Sequence, residues 1–380
     1  MKKVQETYLA LLRAALWGGE LTNEGVKELT NESVNEIIRL AAFQGTGPLV
    51  YDQLLKMKDV EISAGLRMQM KQQCMQSMLL QQRMFPILSQ AWEALKQADI
   101  QPVLLKGFGL AQYYPQPHLR QFGDIDLYVG KKQFHKGCAV LRETFAGIKH
   151  TKHDDDDYKH YNFEFGYTVL ELHRVNIHFP HPSDRRYYEE MEARSQTGNG
   201  PSIDINGLSI VLPDETFNVF FVFVHAWHHF IESGMSMKQL CDVAILLHAL
   251  HANLNYERLH ELLTQLRLME VWRVYMYMLV HYLGMPKDEC PFYSEKCSMR
   301  AQAFFERVMQ EGQARIKEEV NAEGKAYLKR KFMTFQLRLA DSKLVYPYAP
   351  KCAVHMIIGD VLHGIERTIK GLCSTIEICD

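Results

Sequence analysis

The stretch from Pro102 to Gly130, PVLLKGFGLAQYYPQPHLRQFGDIDLYVG, limits what this chain can fold into more than any other. Its second apolar run, Asp124 to Val129, alternates strictly between acid or aromatic and aliphatic residues. Residues two apart in a strand share a face. Ile125, Leu127 and Val129 therefore point one way, and Asp124 and Asp126 the other. Neighbouring carboxylates on one face repel each other unless they are solvated or a cation sits between them. Oxygen-only donors suit Mg²⁺ or Mn²⁺. The first apolar run, Pro102 to Leu105, ends at Lys106-Gly107, and Gly107 to Tyr114 reads as a short helix stopped by Pro115 and Pro117. A helix start offers unpaired N–H groups to an anion, glycine admits a phosphate closely, and Lys106 adds a charge. Gly107 and Gly109 serve equally well as packing positions under a helix. They do not form a P-loop, since no Gly-Lys-Ser/Thr follows.

The remaining pattern predicts an α+β fold: a small mixed β-sheet core at 96–212, flanked by an N-terminal helical region at 1–95 and a C-terminal one at 213–380. Val4, Tyr8, Leu11, Leu12 and Ala15 recur at helical spacing, so the first residues read as an amphipathic helix rather than a signal peptide. Asn31 or Ser33 is positioned to cap a helix through Val34, Ile37, Ile38, Leu40 and Ala41, broken by Gly45, Gly47 and Pro48. A long helical pattern from Ile62 to Leu95 carries Met68, Met70, Met75, Met78 and Met84, read as core filling, with Pro86 as a kink or a split. Phe134, Cys138, Leu141 and Phe145 give another helical face. Lys159–Phe165 and Thr168–Phe179 alternate and read as an antiparallel pair beside the Asp124–Val129 strand, with Glu171 and His173 sharing a face. Asn206-Gly207 signals a type I′ hairpin within Asp204–Leu212, and helix follows Pro213.

Lys106-Gly107 followed by Arg120-x-x-Gly123-Asp124-x-Asp126 resembles the bacterial nucleotidyltransferase-like family of the DNA polymerase β superfamily. The resemblance covers residues 96–245 well. That superfamily shows a Gly-Ser helix start, a D-x-D strand and a third carboxylate on a neighbouring strand; here Lys106-Gly107 stands where Gly-Ser would. The resemblance implies that Asp124, Asp126 and Glu171 are catalytic and hold Mg²⁺ (or Mn²⁺). It implies that Lys106, Gly107, Arg120 and Gly123 handle phosphates, with Arg120 either gripping phosphate oxygens or pairing with an acid. It places a helix bearing His225, followed by Asp242, near the nucleotide; His173, on the strand face of Glu171, reads equally as a nucleotide-site donor and as a structural histidine. The implied activity moves an NMP group from an NTP donor to an unidentified acceptor and releases pyrophosphate. The alternative is a nucleotide-binding or regulatory protein that keeps the fold without turnover.

Composition trims the options. The net charge of −2 provides no basic field, so a small-molecule or protein acceptor is favoured over RNA. The basic run Lys325, Lys329, Arg330, Lys331, Arg338 and Lys343 reads as a solvated helix face, and Asp154 to Asp157 as a solvated loop. Eight cysteines without a C-x-x-C fit neither a zinc site nor a disulfide framework, which points to the cytoplasm. His225, His228 and His229 have zinc-compatible spacing but lack the H-E-x-x-H pattern. The longest uncharged run, Thr216 to Ile231, is too short to span a bilayer.

Overall fold

Among the described residues, four helices precede the sheet: α1 (Lys3–Trp17), α2 (Asn31–Phe43), α3 (Gly47–Lys56) and α4 (Ala64–Gln97). The computed structural model describes residues 3–19, 29–57, 60–151, 159–195, 200–312, 336 and 339–376. The aspartates at 154–157 and the basic residues at 325, 329, 330, 331 and 338 lie outside them. The spacing in α1 buries Tyr8, Leu11, Leu12 and Ala15, as expected. The cap of α2 differs from the expectation. Thr30 caps it, its hydroxyl accepting from Ser33 N at 3.3 Å while Ser33 Oγ accepts from Thr30 N at 2.9 Å. Ser33 is thus the reciprocal member of the capping box, and Asn31 instead accepts from Ser63 N through its side chain. Helix α4 runs unbroken through Pro86. Its methionines divide: Met70 and Met84 are fully buried, but Met68 and Met75 are 59% and 55% exposed, so core filling holds for only part of the stripe.

Among the described residues, the main sheet has five strands in the order β1-β2-β5-β4-β3. They are β1 (Val103–Leu105), β2 (Asp124–Tyr128), β3 (Lys149–His150), β4 (His160–Glu164) and β5 (Val169–His173). β2 lies antiparallel to β1 and parallel to β5, while β4 and β5 form the expected antiparallel pair. One face is apolar: Leu104, Ile125, Leu127, Leu170, Leu172, Tyr161 and Phe163 pack with Leu88, Ala91, Trp92 and Leu95 of α4. Phe134, Cys138 and Leu141 of α6 (Gly130–Thr144) complete that core. Burying each large aliphatic side chain contributes about 1.5–3 kcal/mol, so this face fixes the register. A one-residue slip would turn every side chain over.

α5 (Gly107–Ala111) links β1 to β2. A further helix, α7 (Pro182–Ser195), follows β5, and the sequence pattern did not predict it. Its residues, PSDRRYYEEMEARS, carry too little apolar periodicity to signal a helix. The hairpin β6 (Ser202–Ile205) and β7 (Leu208–Val211) turns at Asn206 and Gly207, both at positive φ, as a type I′ turn requires. Helices α8 (Glu215–Glu232), α9 (Met237–Leu250), α10 (Tyr256–Gln265), α11 (Met269–Leu283), α12 (Ser298–Glu311) and α13 (Pro350–Ile376) follow. α8 is buried on nearly all sides and contributes side chains to both cavities on the polar face of the sheet. Among the described residues, no helix is long and apolar enough to cross a membrane.

Candidate active site

The register assembles the acids. Asp126 pairs with Glu171 across the parallel β2–β5 ladder, and Asp124 lies two residues before it on the same face. Asp126 is completely buried. Its Oδ1 accepts from His173 Nε2 at 2.9 Å, and its Oδ2 lies 3.2 Å from Lys106 Nζ. Burial alone would raise the Asp126 carboxyl, but the Lys106 ammonium and His173 outweigh burial and hold it below the usual range. His173 Nε2 also reaches Glu171 Oε2 at 3.3 Å. Burial opposes protonation of His173, yet its hydrogen bonds to Asp126 and Glu171 push it up to about 9. At neutral pH an imidazolium therefore sits between the two acids. Asp124 is half-buried and its side chain has, among the described residues, no hydrogen bond or ion pair.

Lys106 occupies a strained turn. Its φ of 44° lies in a region that side-chain-bearing residues rarely adopt, and Gly107 follows at φ +36°. Such a residue costs on the order of 1–3 kcal/mol and marks functional sites. The turn aims the Lys106 amine at Asp126 and at His225, whose Nε2 accepts from it at 3.0 Å. Burial, with Lys106 next, holds His225 well below the ordinary imidazole range, so it is a neutral acceptor. Gly109 is a packing position, since a Cβ there would meet Leu212 at 2.6 Å. Gly123 differs: a Cβ there would meet open space, and the residue lines a cavity.

Arg120 and Asp242 come together, but chiefly with each other. The guanidinium donates to both carboxylate oxygens at 2.7 and 2.9 Å, and to the carbonyl of Gly107 at 3.1 Å. Tyr114 donates to the same carboxylate at 2.7 Å. This buried network ties the Lys106-Gly107 turn to α9.

A cavity of about 320 Å³ opens between Asp124 on the sheet and helices α8 and α9. Lys106, Arg120, His225, His229 and Lys238 all line it. Its size falls in the range of ligand pockets, roughly 300–1,000 Å³. The sequence pattern gave no sign of Lys238 as a site residue, and His229 entered only as a member of the zinc-compatible histidine triplet. Burial, then Arg120, lowers the Lys238 ammonium, and its amine has no hydrogen bond or ion pair among the described residues. The available signal was the Ser236-x-x-Gln239 capping box, which starts α9 and sets Lys238 four residues before Asp242, on one helix face. A second cavity of about 150 Å³ lies beyond Lys106 and His225, against Glu171, His160, His173 and Glu232.

The donor chemistry fits a hard divalent cation at Asp124 and Asp126. Among the described residues the Asp124 side chain has no partner, and the buried Asp126 Oδ2, 3.2 Å from the Lys106 amine, accepts no well-formed hydrogen bond. Glu171 belongs to a mixed cluster, with His160 and His173, whose donor atoms lie within 4.8 Å of one another. No curated protein and no solved structure matches the chain. A family model described as "Uncharacterised nucleotidyltransferase" matches residues 30–284, from α2 to the end of α11, and so contains every residue of this site. On that match the chain belongs to this nucleotidyltransferase family.

Proposed function

We propose that this protein transfers a nucleoside monophosphate from an NTP to an acceptor and releases pyrophosphate. The observation that carries this reading is the meeting of an acid-bearing sheet face with a cavity rich in cations. The triphosphate enters that cavity. Lys238, Lys106 and the start of α5 neutralise its β and γ oxygens, where charge accumulates as the α–β bridging P–O bond breaks. Arg120, held by Asp242, acts as the brace of the Lys106-Gly107 turn. His225 orients the Lys106 amine. The acceptor hydroxyl or amine approaches through the smaller cavity, and its proton passes to Glu171 as the new bond to the α phosphorus forms. Asp124 and Asp126, joined by Glu171, are the residues to hold Mg²⁺ or Mn²⁺, which when bound supplies charge neutralisation at the α phosphate and a more acidic acceptor group.

One observation favours a second reading. The His173 imidazolium and the Lys106 ammonium already neutralise Asp126 and Glu171. A protein that binds a nucleotide without turnover needs no more than this. The two readings part in a pyrophosphate-release assay with each of the four NTPs, Mg²⁺ or Mn²⁺, and a panel of hydroxyl- and amine-bearing small molecules and proteins. Release that disappears in Asp124→Asn supports transfer. Saturable NTP binding with no release for any acceptor supports the second reading.

A further inference from the structure

A second cluster of metal-ligating side chains stands apart from the proposed catalytic residues. His181 precedes α7, Asp184 lies in its first turn, and His355 reaches them from α13. Their donor atoms all lie within 4.8 Å of one another. We infer that His181, Asp184 and His355 form a structural site for Zn²⁺ or a similar borderline cation, which staples α13 to the start of α7.

The chemistry and the packing both favour this. Two imidazoles and one carboxylate form a donor set that suits zinc better than Mg²⁺. The two rings stack with centroids 4.4 Å apart and an interplanar angle of 26°. Asp184 is 4% exposed, and its two oxygens have separate tasks. Oδ1 accepts from Arg267 at 3.0 Å, while Oδ2 lies 2.5 Å from His355 Nε2. An outer partner that fixes one carboxylate oxygen and leaves the other free to ligate is the usual support of a metal site. Arg267 is itself held at a positive φ of 59°. A metal would replace the proton shared by His355 and Asp184, and a water would complete four ligands.

The helix is shaped to bring His355 there. Gly359, one turn later on the same face, sits so close that a Cβ would lie 2.8 Å from the His181 nitrogen. Meanwhile Val354, Ile358, Val361 and Ile365 are left exposed. That stripe adds no apolar burial to α13, whose buried face carries Cys352 and Ala353 of the core beside the polar cluster. The same staple anchors the far end of the segment from His173, whose Asn176 and Ile177 line the smaller cavity.

The full-length chain, stripped with a chelator, is titrated with Co²⁺ and the visible absorption of a four-coordinate ion is followed. One site per chain is expected, retained in Asp124→Asn, which alters the proposed catalytic acids without disturbing the Lys106–Asp126–His173 contacts, and competed away by Zn²⁺. The band should vanish in His181→Ala and in His355→Ala, and Arg267→Gln should weaken binding by about 10–100-fold. Absence of the band in the wild-type chain overturns the inference, with no variant needed. So does a band that survives both histidine substitutions, or one that only Asp124→Asn removes. Failure of NTP binding leaves this result untouched, because the two sites share no ligand.

Discussion

Asp242→Ala probes how the site is held together. Arg120 and Asp242 are 3% and 5% exposed, so removing the carboxylate strands a guanidinium away from water. Among the described residues its one remaining acceptor would be the Gly107 carbonyl, and Tyr114 would lose the partner of its hydroxyl. Breaking a buried pair on one side costs about 3–5 kcal/mol. A stranded hydroxyl adds about 1 kcal/mol. Urea unfolding should therefore show a loss of about 4 kcal/mol or more at unchanged m value. Replacing both partners, as Arg120→Met with Asp242→Leu, removes the unpaired charge and should recover most of that loss, because an apolar pair of similar volume is often neutral. The reasoning fails if Asp242→Ala costs less than about 1 kcal/mol while nucleotide binding is abolished. Asp242 would then contact the ligand itself rather than act through Arg120.

Three further expectations follow from the charges. His173 is pushed up to about 9, burial being outweighed by Asp126 and Glu171. Its stabilisation is complete below the unfolded value near 6.5 and is lost as pH rises to about 9, a change of about 3 kcal/mol that His173→Gln should erase from the pH–stability profile. Glu192 is raised by burial to about 8 and accepts from Asn176 N at 2.9 Å. The unfolded chain ionises this acid from about pH 4.3 while the native one keeps its proton, so stability falls across that window. Glu192→Gln keeps an acceptor for Asn176 and should be more stable than wild type by about 3 kcal/mol at pH 7 in urea unfolding; a less stable variant contradicts the assignment. Lys238→Met should raise the stability of the nucleotide-free protein and weaken NTP binding by roughly 10–100-fold, as expected for one charge-assisted phosphate contact. Unchanged affinity by calorimetry would remove Lys238 from the phosphate site.

Much of the sheet was legible because strand periodicity and turn chemistry are local. Alternation in Asp124–Val129 and Thr168–Phe179 placed both acids and Glu171 on definite faces, and Asn206-Gly207 located the hairpin. The parallel pairing that sets Asp126 against Glu171 is non-local, and the sequence pattern did not specify it. Arg120 illustrates the same limit. Its alternatives, a phosphate or an acid, were both visible, but only the fold brings Asp242 from 122 residues away. Helix α7 escaped because its residues are polar on most sides, so no apolar stripe marks it. Lys238 escaped because an isolated lysine carries no pattern; its meaning comes from the cavity wall it occupies. The Met68–Met84 stripe misled for a related reason: methionine is flexible and tolerates either environment, so its periodicity does not settle which side of a helix is covered.

The most direct test of the central claim is thermal unfolding with each of the four NTPs, with and without Mg²⁺, in the wild type and in Asp124→Asn. Asp124 is the better acid to change, since Asp126 is locked to Lys106 and His173 and its loss would disturb the fold. Ligand at ~100 times its Kd stabilises the native state by about 2.7 kcal/mol. The account predicts a Mg²⁺-dependent upward shift for at least one NTP, absent in Asp124→Asn at equal intrinsic stability. No shift with any NTP, or a shift of the same size in Asp124→Asn, would contradict it.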